Sequence, residues 1–371
     1  MPLYLTEDQA MLRDTARDFM AAEGAISAQL RHWRDKGCTD GFGHGLWKQF
    51  AQMGFTGILI GEAQGGLGLG HVEAGLVLEE IGRNLTPSPF LITAVAVVEA
   101  LRGTSHADHW YPAILAGDAV AALAVDEGPK HGPDSIAMRA ERSGNGFRLT
   151  GRKQFVVQGA SADLFVVAAM AEEGLTLFAV GRDAPGLDVE SLRLVDSSIG
   201  ARLDFAGVAV DGDAVIGAVG EGAATLARVL AAGRAGASAE MVGLGSAAMD
   251  INVAHLKERK QFGRAIGEFQ ALQHRAAHLY SELEIARAAT LKAQQLLDET
   301  SPDAEAMVSV AKAKAGRASN LAVQEGVQMH GGVGMTDEYD IGLYMKRDRV
   351  LNELFGDPRY HEDALARLKG Y

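Results

Sequence analysis

Apolar and polar residues follow one another along this chain in three successive rhythms. From Thr6 to about Gly117 the period is helical. LTEDQAMLRDTARDFM places Ala10, Leu12, Ala16, Phe19 and Met20 at helical spacing behind Thr6 as an N-cap. LWKQFAQMG, HVEAGLVLEEIGRNL and PSPFLITAVAVVEALRG repeat that behaviour, with the loop GEAQGGLGLG between them. Around Ala119 the period shortens. AVAALAVD, SIAMRAER, GFRLTGRKQFVVQG, LFVVAAM, LTLFAVGR, VESLRLV and LDFAGVAV are short, β-rich and separated by Gly, Asp, Asn or Pro. They predict strands of a compact antiparallel domain, with GNG at 144–146 as a hairpin turn. From about Ala223 the helical pattern returns in long runs over 223–259, 268–298 and 303–329, followed by GGVGM. The expected class is α+β, with a helical domain at 1–118, a β domain at 119–217 and a helical region at 218–371.

Composition narrows the possible functions. A chain of 371 residues is long enough for more than one core. The formal net charge is −13, and Lys and Arg are scattered apart from a cluster at Lys257, Arg259, Lys260 and Arg264. That balance argues against nucleic acid as a partner. The single cysteine, Cys38, excludes an intrachain disulfide and a cysteine metal cage and fits a reducing cytoplasm. MPLYLTEDQAMLRD lacks the regions of a secretory leader, and PFLITAVAVVEAL is too short to span a bilayer. A cytoplasmic protein without a membrane span is expected.

Few residues carry chemistry by spacing alone. GGLGLG at 65–70 lacks the βαβ surroundings of a dinucleotide fingerprint and reads as a loop needing positive φ. His274 and His278 stand one turn apart without an HExxH pattern, and no GxSxG elbow occurs. Neither a metal site nor a serine nucleophile is expected. Two segments stand out. In HLKERKQFGRAIGEFQALQHR, 255–275, charged residues flank Phe262, and Phe269 with Gln270 opens the next helix. QMHGGVGMTDEYDIGLYMKRDR, 328–349, is a glycine turn before an acidic and then a basic helix. Each alone is explained as a helix connection with glycine at the C-cap. A third segment, RAGASAEMVGLGSAAMD at 234–250, holds Glu240 among Gly236, Ala237, Gly243 and Leu244, where a solvated face would offer polar neighbours.

Together with LTEDQAMLRDTARDF, EAQGGLGLG, VLEEIGRNL and GRKQFVVQGASAD, these segments resemble the acyl-CoA dehydrogenase flavoproteins over essentially the whole chain. The resemblance implies the acyl-CoA dehydrogenase fold: an N-terminal helical domain, a middle antiparallel β domain and a C-terminal four-helix bundle. It implies FAD as cofactor, an acyl-CoA substrate, an electron-transfer flavoprotein as electron acceptor, and a tetramer with FAD bound partly across a subunit interface. Residue by residue, it puts Arg259, Phe262, Gln270, Gln328 and Gly332 on FAD. Phe155 stands where the family packs a tryptophan on the flavin, and Arg234 and Phe355 fall on the substrate side.

The family's chemistry also needs a carboxylate to take the substrate α-proton while the β-hydride passes to flavin N5. Phe355 aligns with the glutamate of the family's Tyr-Glu-Gly-Thr turn, and Gly233 with the alternative position on the first bundle helix. Val157 and Asp126 likewise replace threonines that face the flavin. Glu240 looks like the glutamate of an Ala-Ala-Glu-x-x-Gly pattern in a subgroup that includes pimeloyl-CoA and steroid side-chain dehydrogenase subunits, and is the expected base. Loss of both usual positions implies an α2β2 tetramer with a second dehydrogenase-like subunit as the alternative to a homotetramer. A catalytically silent flavin-binding subunit, or a flavin monooxygenase or oxidase on the same fold, are the competing functions.

Overall fold

The computed structural model describes residues 3–371. Its helices are α1 (Glu7–Ala22), α2 (His32–Asp35), α3 (His44–Gln52), α4 (His71–Asn84), α5 (Val98–Leu101), α6 (Ser105–Leu115), α7 (Gly222–Glu258), α8 (Gln270–Asp298), α9 (Ala304–His330), α10 (Ile341–Glu353) and α11 (Pro358–Leu368). The strands are β1 (Ala121–Ala124), β2 (Arg139–Ser143), β3 (Gly146–Val157), β4 (Leu164–Ala171), β5 (Gly174–Gly181), β6 (Leu187–Arg193), β7 (Ile199–Val210), β8 (Val215–Ile216), β9 (Lys260–Gln261) and β10 (Arg264–Ala265). Among the described residues no helix is long and apolar enough to cross a membrane. The chain divides into two compact units, one of Gln29–Gly70 and Pro87–Gly233, the other of Met1–Ala28, His71–Thr86 and Arg234–Tyr371.

The first unit is built on an eight-stranded sheet in the order β6-β7-β3-β2-β4-β5-β8, with β1 beside β4. Inward-facing Phe147, Leu149, Phe165, Val167, Phe178, Leu203 and Phe205 make its core. The GNG turn forms as expected: Ser143 pairs with Gly146, and Gly144 takes φ +60°. One part of the expectation needs correcting. The domain is not wholly antiparallel, because β1 runs parallel to β4 from Ala121↔Leu164 to Ala124↔Val167 and β2 meets β4 in parallel at Arg139↔Met170. Strand β1 is buried at every position, so its apolar run has no alternation from which a direction could be read. PSPFLITAVAVVEALRG also departs from a regular α-helix, winding as a π-helix over Phe90–Val97 before α5.

In the second unit Thr6 caps α1 as its sequence predicts. Its hydroxyl accepts the Gln9 N–H at 3.2 Å, and the Gln9 side chain accepts the Thr6 N–H at 3.0 Å. Asp298, at the end of α8, accepts the His71 and Val72 N–H groups at 2.6 and 3.3 Å and so caps α4. Helix α7 is buried nearly all round from Ala235 to Leu244, which requires neighbours that reach its backbone. The sequence supplies them through reciprocal glycines. A Cβ on Gly82 of α4 would overlap the Glu240 carbonyl of α7, and one on Gly243 of α7 would overlap the Glu79 carbonyl of α4. Each glycine lies three residues beyond the carbonyl that its partner touches. Helices α8, α10 and α11 all pack on α9 and complete the C-terminal bundle.

This contact makes a directional prediction. Gly243→Ala should lower stability by about 1–3 kcal/mol, because the added methyl meets fixed backbone rather than a movable side chain. Gly45→Ala, at an exposed site in α3 with open space around it, should leave the melting temperature unchanged or slightly raised. Equal melting temperatures for both variants would show that α4 and α7 are not held this closely.

Candidate active site

The turn at 354–357 is shaped almost entirely by donors aimed at backbone carbonyls. Helix α10 stops at Glu353, and Leu354 bonds back to Val350 O at 3.0 Å. Phe355 then takes φ +61° and Gly356 φ +104°. A side chain at 356 would collide with the Tyr360 ring. Asp357 accepts the Tyr360 N–H at 2.9 Å and starts α11. Arg234 of α7 donates through Nε to the Phe355 carbonyl at 3.2 Å and through Nη2 to the Tyr360 hydroxyl at 3.1 Å. His361, fully buried, lies 3.1 Å from the same Phe355 carbonyl. Lys312 of α9, also fully buried, reaches Leu351 O at 3.0 Å and Gly356 O at 2.9 Å. Beneath the turn, Asp348 is 1% exposed and accepts from Ser319 at 2.6 Å, Asn320 at 3.0 Å and Asn352 at 2.9 Å. Burial raises its pKa, and those donors oppose the rise.

Glu240 is 2% exposed, and its Oε1 accepts from Arg347 Nε at 2.8 Å and Nη2 at 2.6 Å. Among the small residues around it, Gly243 admits the backbone of α4. A buried carboxylate needs a counter-charge, and Arg347 from α10 supplies it.

The residues expected on FAD separate into two groups. Arg259, Phe262, Gln270, Gln328 and Gly332 are all exposed and belong to the second unit. The stacked rings of His255 and His330, 4.1 Å apart, join the end of α7, four residues before Arg259, to the end of α9, which carries Gln328. Between α7 and α8 the β9–β10 hairpin carries Phe262 at its tip, 90% exposed with φ +53°. The Phe262 ring meets Phe269 edge-on at 6.1 Å, and Arg264 lies 4.0 Å over Phe269. Arg259 has no acidic partner among the described residues. An unneutralised guanidinium, an exposed ring at a hairpin tip and the open space at Gly263, Gly331 and Gly332 suit a diphosphate joined to aromatic rings, and FAD is such a molecule.

Phe155, in the first unit, is half-buried on β3 with φ +51°. Beside it Val157 is 7% exposed and offers no side-chain donor. Asp126 is held by His131 at 2.9 Å and by Gly132 N–H at 3.1 Å. The three phenylalanines singled out from the sequence thus all adopt left-handed backbone, a strain of about 1–3 kcal/mol each that tends to collect at functional sites.

Sequence reasoning named Arg234 and Phe355, and the structure brings them into contact across 121 residues. It missed Lys312, His361, Asp348 and Arg347. For Lys312 a signal existed: with Val308, Ala315 and Ser319 at helical spacing around it, the lysine falls on the buried face of α9. Among the described residues no group of three or more His, Cys, Asp or Glu could hold a metal ion.

A cation-clamped turn and, in the same largely helical unit, a surface suited to a dinucleotide fit a flavin-dependent oxidoreductase of the acyl-thioester type. Family models of the acyl-CoA dehydrogenase N-terminal, middle and C-terminal domains match residues 6–118, 122–205 and 220–368. Cyclohex-1-ene-1-carbonyl-CoA dehydrogenase of Geobacter metallireducens is 31% identical over 95% of this chain and 95% of its own length. The short/branched chain specific acyl-CoA dehydrogenase of Bos taurus is 30% identical over 94% of this chain and 83% of its own. The solved Tcur3481-Tcur3483 steroid ACAD variant superposes with a TM-score of 0.90 at 28% identity, covering 98% of both chains. The chain belongs to the acyl-CoA dehydrogenase family, and it is an FAD-dependent oxidoreductase acting on acyl-CoA.

Arg259→Glu should raise the FAD dissociation constant about 10- to 100-fold, the weight of one charge-assisted contact reversed in sign. Flavin fluorescence titration of the apoprotein checks it. An unchanged constant removes Arg259 from the cofactor site.

Proposed function

We propose that this chain works in the α,β-dehydrogenation of an acyl-CoA thioester to the trans-2-enoyl-CoA, as one of two different dehydrogenase-like chains in a heteromeric enzyme. Bound FAD supplies the two-electron chemistry by accepting the β-hydride, and an electron-transfer flavoprotein takes the electrons onward. Arg234, Lys312 and His361 keep the 354–357 turn in register, so that its backbone can meet the thioester whatever side chain residue 355 carries. Phe355 fills the place of the family's glutamate with a ring that is 5% exposed and takes no proton.

The observation that carries this reading is the Glu240–Arg347 pair. The α C–H of a thioester is a poor acid, and its acceptor must be positioned and ready to gain a proton. Glu240 would have to give up charge-assisted hydrogen bonds of about 1.5–3 kcal/mol each to do so. The pair therefore suits a brace between α7 and α10, and the base comes from the second chain. The two-protein name of the steroid ACAD relative supports an assembly of this kind. A second reading keeps Glu240 as the base. It is favoured by burial of the carboxylate and by its place on α7 six residues beyond Arg234, about 9 Å along the helix.

Glu240→Gln separates the two. As a brace, the variant in the two-chain assembly should reduce its flavin with acyl-CoA within about threefold of wild type, below the range for a lost general base. Its stability should fall by about 1–3 kcal/mol as Arg347 loses its counter-charge. As the base, it should bind FAD normally and slow flavin reduction by roughly 10²–10⁴-fold. Stopped-flow absorbance of the flavin and a thermal melt decide between them, and the larger kinetic loss would overturn the brace.

A further inference from the structure

We propose that Lys312 is a positioning residue for this site, holding the 354–357 turn in the conformation on which acyl-CoA binding depends. This rests on the turn being the substrate-facing element of the proposed reaction. Lys312 sits in the middle of α9, fully buried, with Val308, Ala315 and Ser319 on the same buried face. Among the described residues no carboxylate pairs with it. Its Nζ instead donates to Leu351 O at 3.0 Å, Asn352 O at 3.4 Å and Gly356 O at 2.9 Å. The first two carbonyls end α10, where a helix leaves its acceptors unsatisfied and presents the negative end of its dipole. The third belongs to the turn. A single nitrogen therefore ties the end of the helix to the strained residues that follow it.

Three acceptors match the three N–H groups of an ammonium, whereas a neutral amine has only two. Losing the proton releases one carbonyl and removes the charge from the remaining bonds. The charged groups around the nitrogen are Arg234 from α7, Asp348 and Glu353 from α10 and Asp357 from the turn, with His361 of α11 beside Gly356. Burial, followed by Arg234, pushes the Lys312 pKa down to about 7 against the pull of the three carboxylates. The hold on the turn therefore weakens as pH rises through that value. Global stability moves in the opposite direction. The folded pKa lies below the unfolded one, so between them the folded state binds fewer protons, and the lysine's cost to folding shrinks as pH rises from about 7 toward 10. A local loosening combined with global strengthening distinguishes this device from ordinary alkaline unfolding.

The test uses the full-length FAD-loaded protein with its partner chain. Hydrogen exchange, corrected for the intrinsic pH dependence, should show wild-type protection over 354–357 falling about tenfold between about pH 6 and pH 8.5, the weight of one charge-assisted bond. Lys312→Arg keeps its charge across that range and should hold the acid-side protection at both values. Lys312→Met should show low protection at both, with a raised KM for acyl-CoA, near-normal kcat and unchanged FAD affinity. If the methionine variant does not fold, the arginine variant carries the test. A step that persists in Lys312→Arg, or is absent from wild type, overturns the proposal. A step in protection with no matching change in wild-type KM overturns its link to substrate. Flavin that acyl-CoA never reduces, with the protection step intact, counts against the proposed function and leaves the clamp standing.

Discussion

The helical unit depends on one helix, α7, being buried on nearly every side from Ala235 to Leu244. That burial is achievable only with residues that let other backbones come close, and Gly243 against Glu79, with Gly82 against Glu240, is the closest such approach to α4. A helix placed this way cannot point a charge into water from that stretch. Glu240 within that stretch and the buried Arg234 just before it must each find a partner inside the protein. Glu240 finds Arg347, and Arg234 finds the Phe355 carbonyl and Tyr360. Both partnerships lead to α10 and the turn after it. The register of the candidate active-site turn is thus a consequence of how tightly α7 is packed.

This arrangement explains how the turn can keep its shape with phenylalanine at its centre. Arg234, Lys312 and His361 each reach a backbone carbonyl of the turn, and Arg234 also donates to the Tyr360 hydroxyl. The same bonds offset the strain of a left-handed phenylalanine, which would otherwise relax by swinging the turn away. The geometry of the turn therefore does not depend on a carboxylate at 355.

What could be read from the sequence, and what could not, divides along a physical line. Features local in sequence were legible: the capping box at Thr6, the Gly144–Asn145 turn and the long helical runs. The alignment of specific segments also brought Arg234 and Phe355 together. Contacts determined by three-dimensional packing were not. Glu240 and Arg347 are 107 residues apart, and no periodicity announces a salt bridge between separate helices. Nor could the glycines around Glu240 show what they admit, because a small residue reads the same whether a cofactor or another helix occupies the space beside it. The parallel direction of β1 was hidden for a related reason: a strand buried on both faces carries no pattern.

Two buried lysines show how the same device behaves in different electrostatic surroundings. Lys153 on β3 is as buried as Lys312 and also ties down a loop near a left-handed phenylalanine, donating to Val125 O at 2.9 Å and Glu127 at 2.7 Å. Glu127 in turn accepts the Ala137 and Met138 N–H groups at 2.8 and 3.0 Å. Burial would raise the Glu127 pKa, but the Lys153 bond and charge and those two N–H donors outweigh it and hold the carboxyl below its usual range. Burial lowers the Lys153 pKa as well, but there the Glu127 bond and charge oppose it, so this ammonium has a full counter-charge in contact. Lys312 has carbonyl dipoles alone in contact, and burial with the nearby Arg234 outweighs the more distant Asp348, Asp357 and Glu353 and pushes its pKa down to about 7. A loop held by a lysine–carboxylate pair is a fixed part of the scaffold. A loop held by a lysine on carbonyls alone is set by protonation, and in this chain that is the turn where the family places its base.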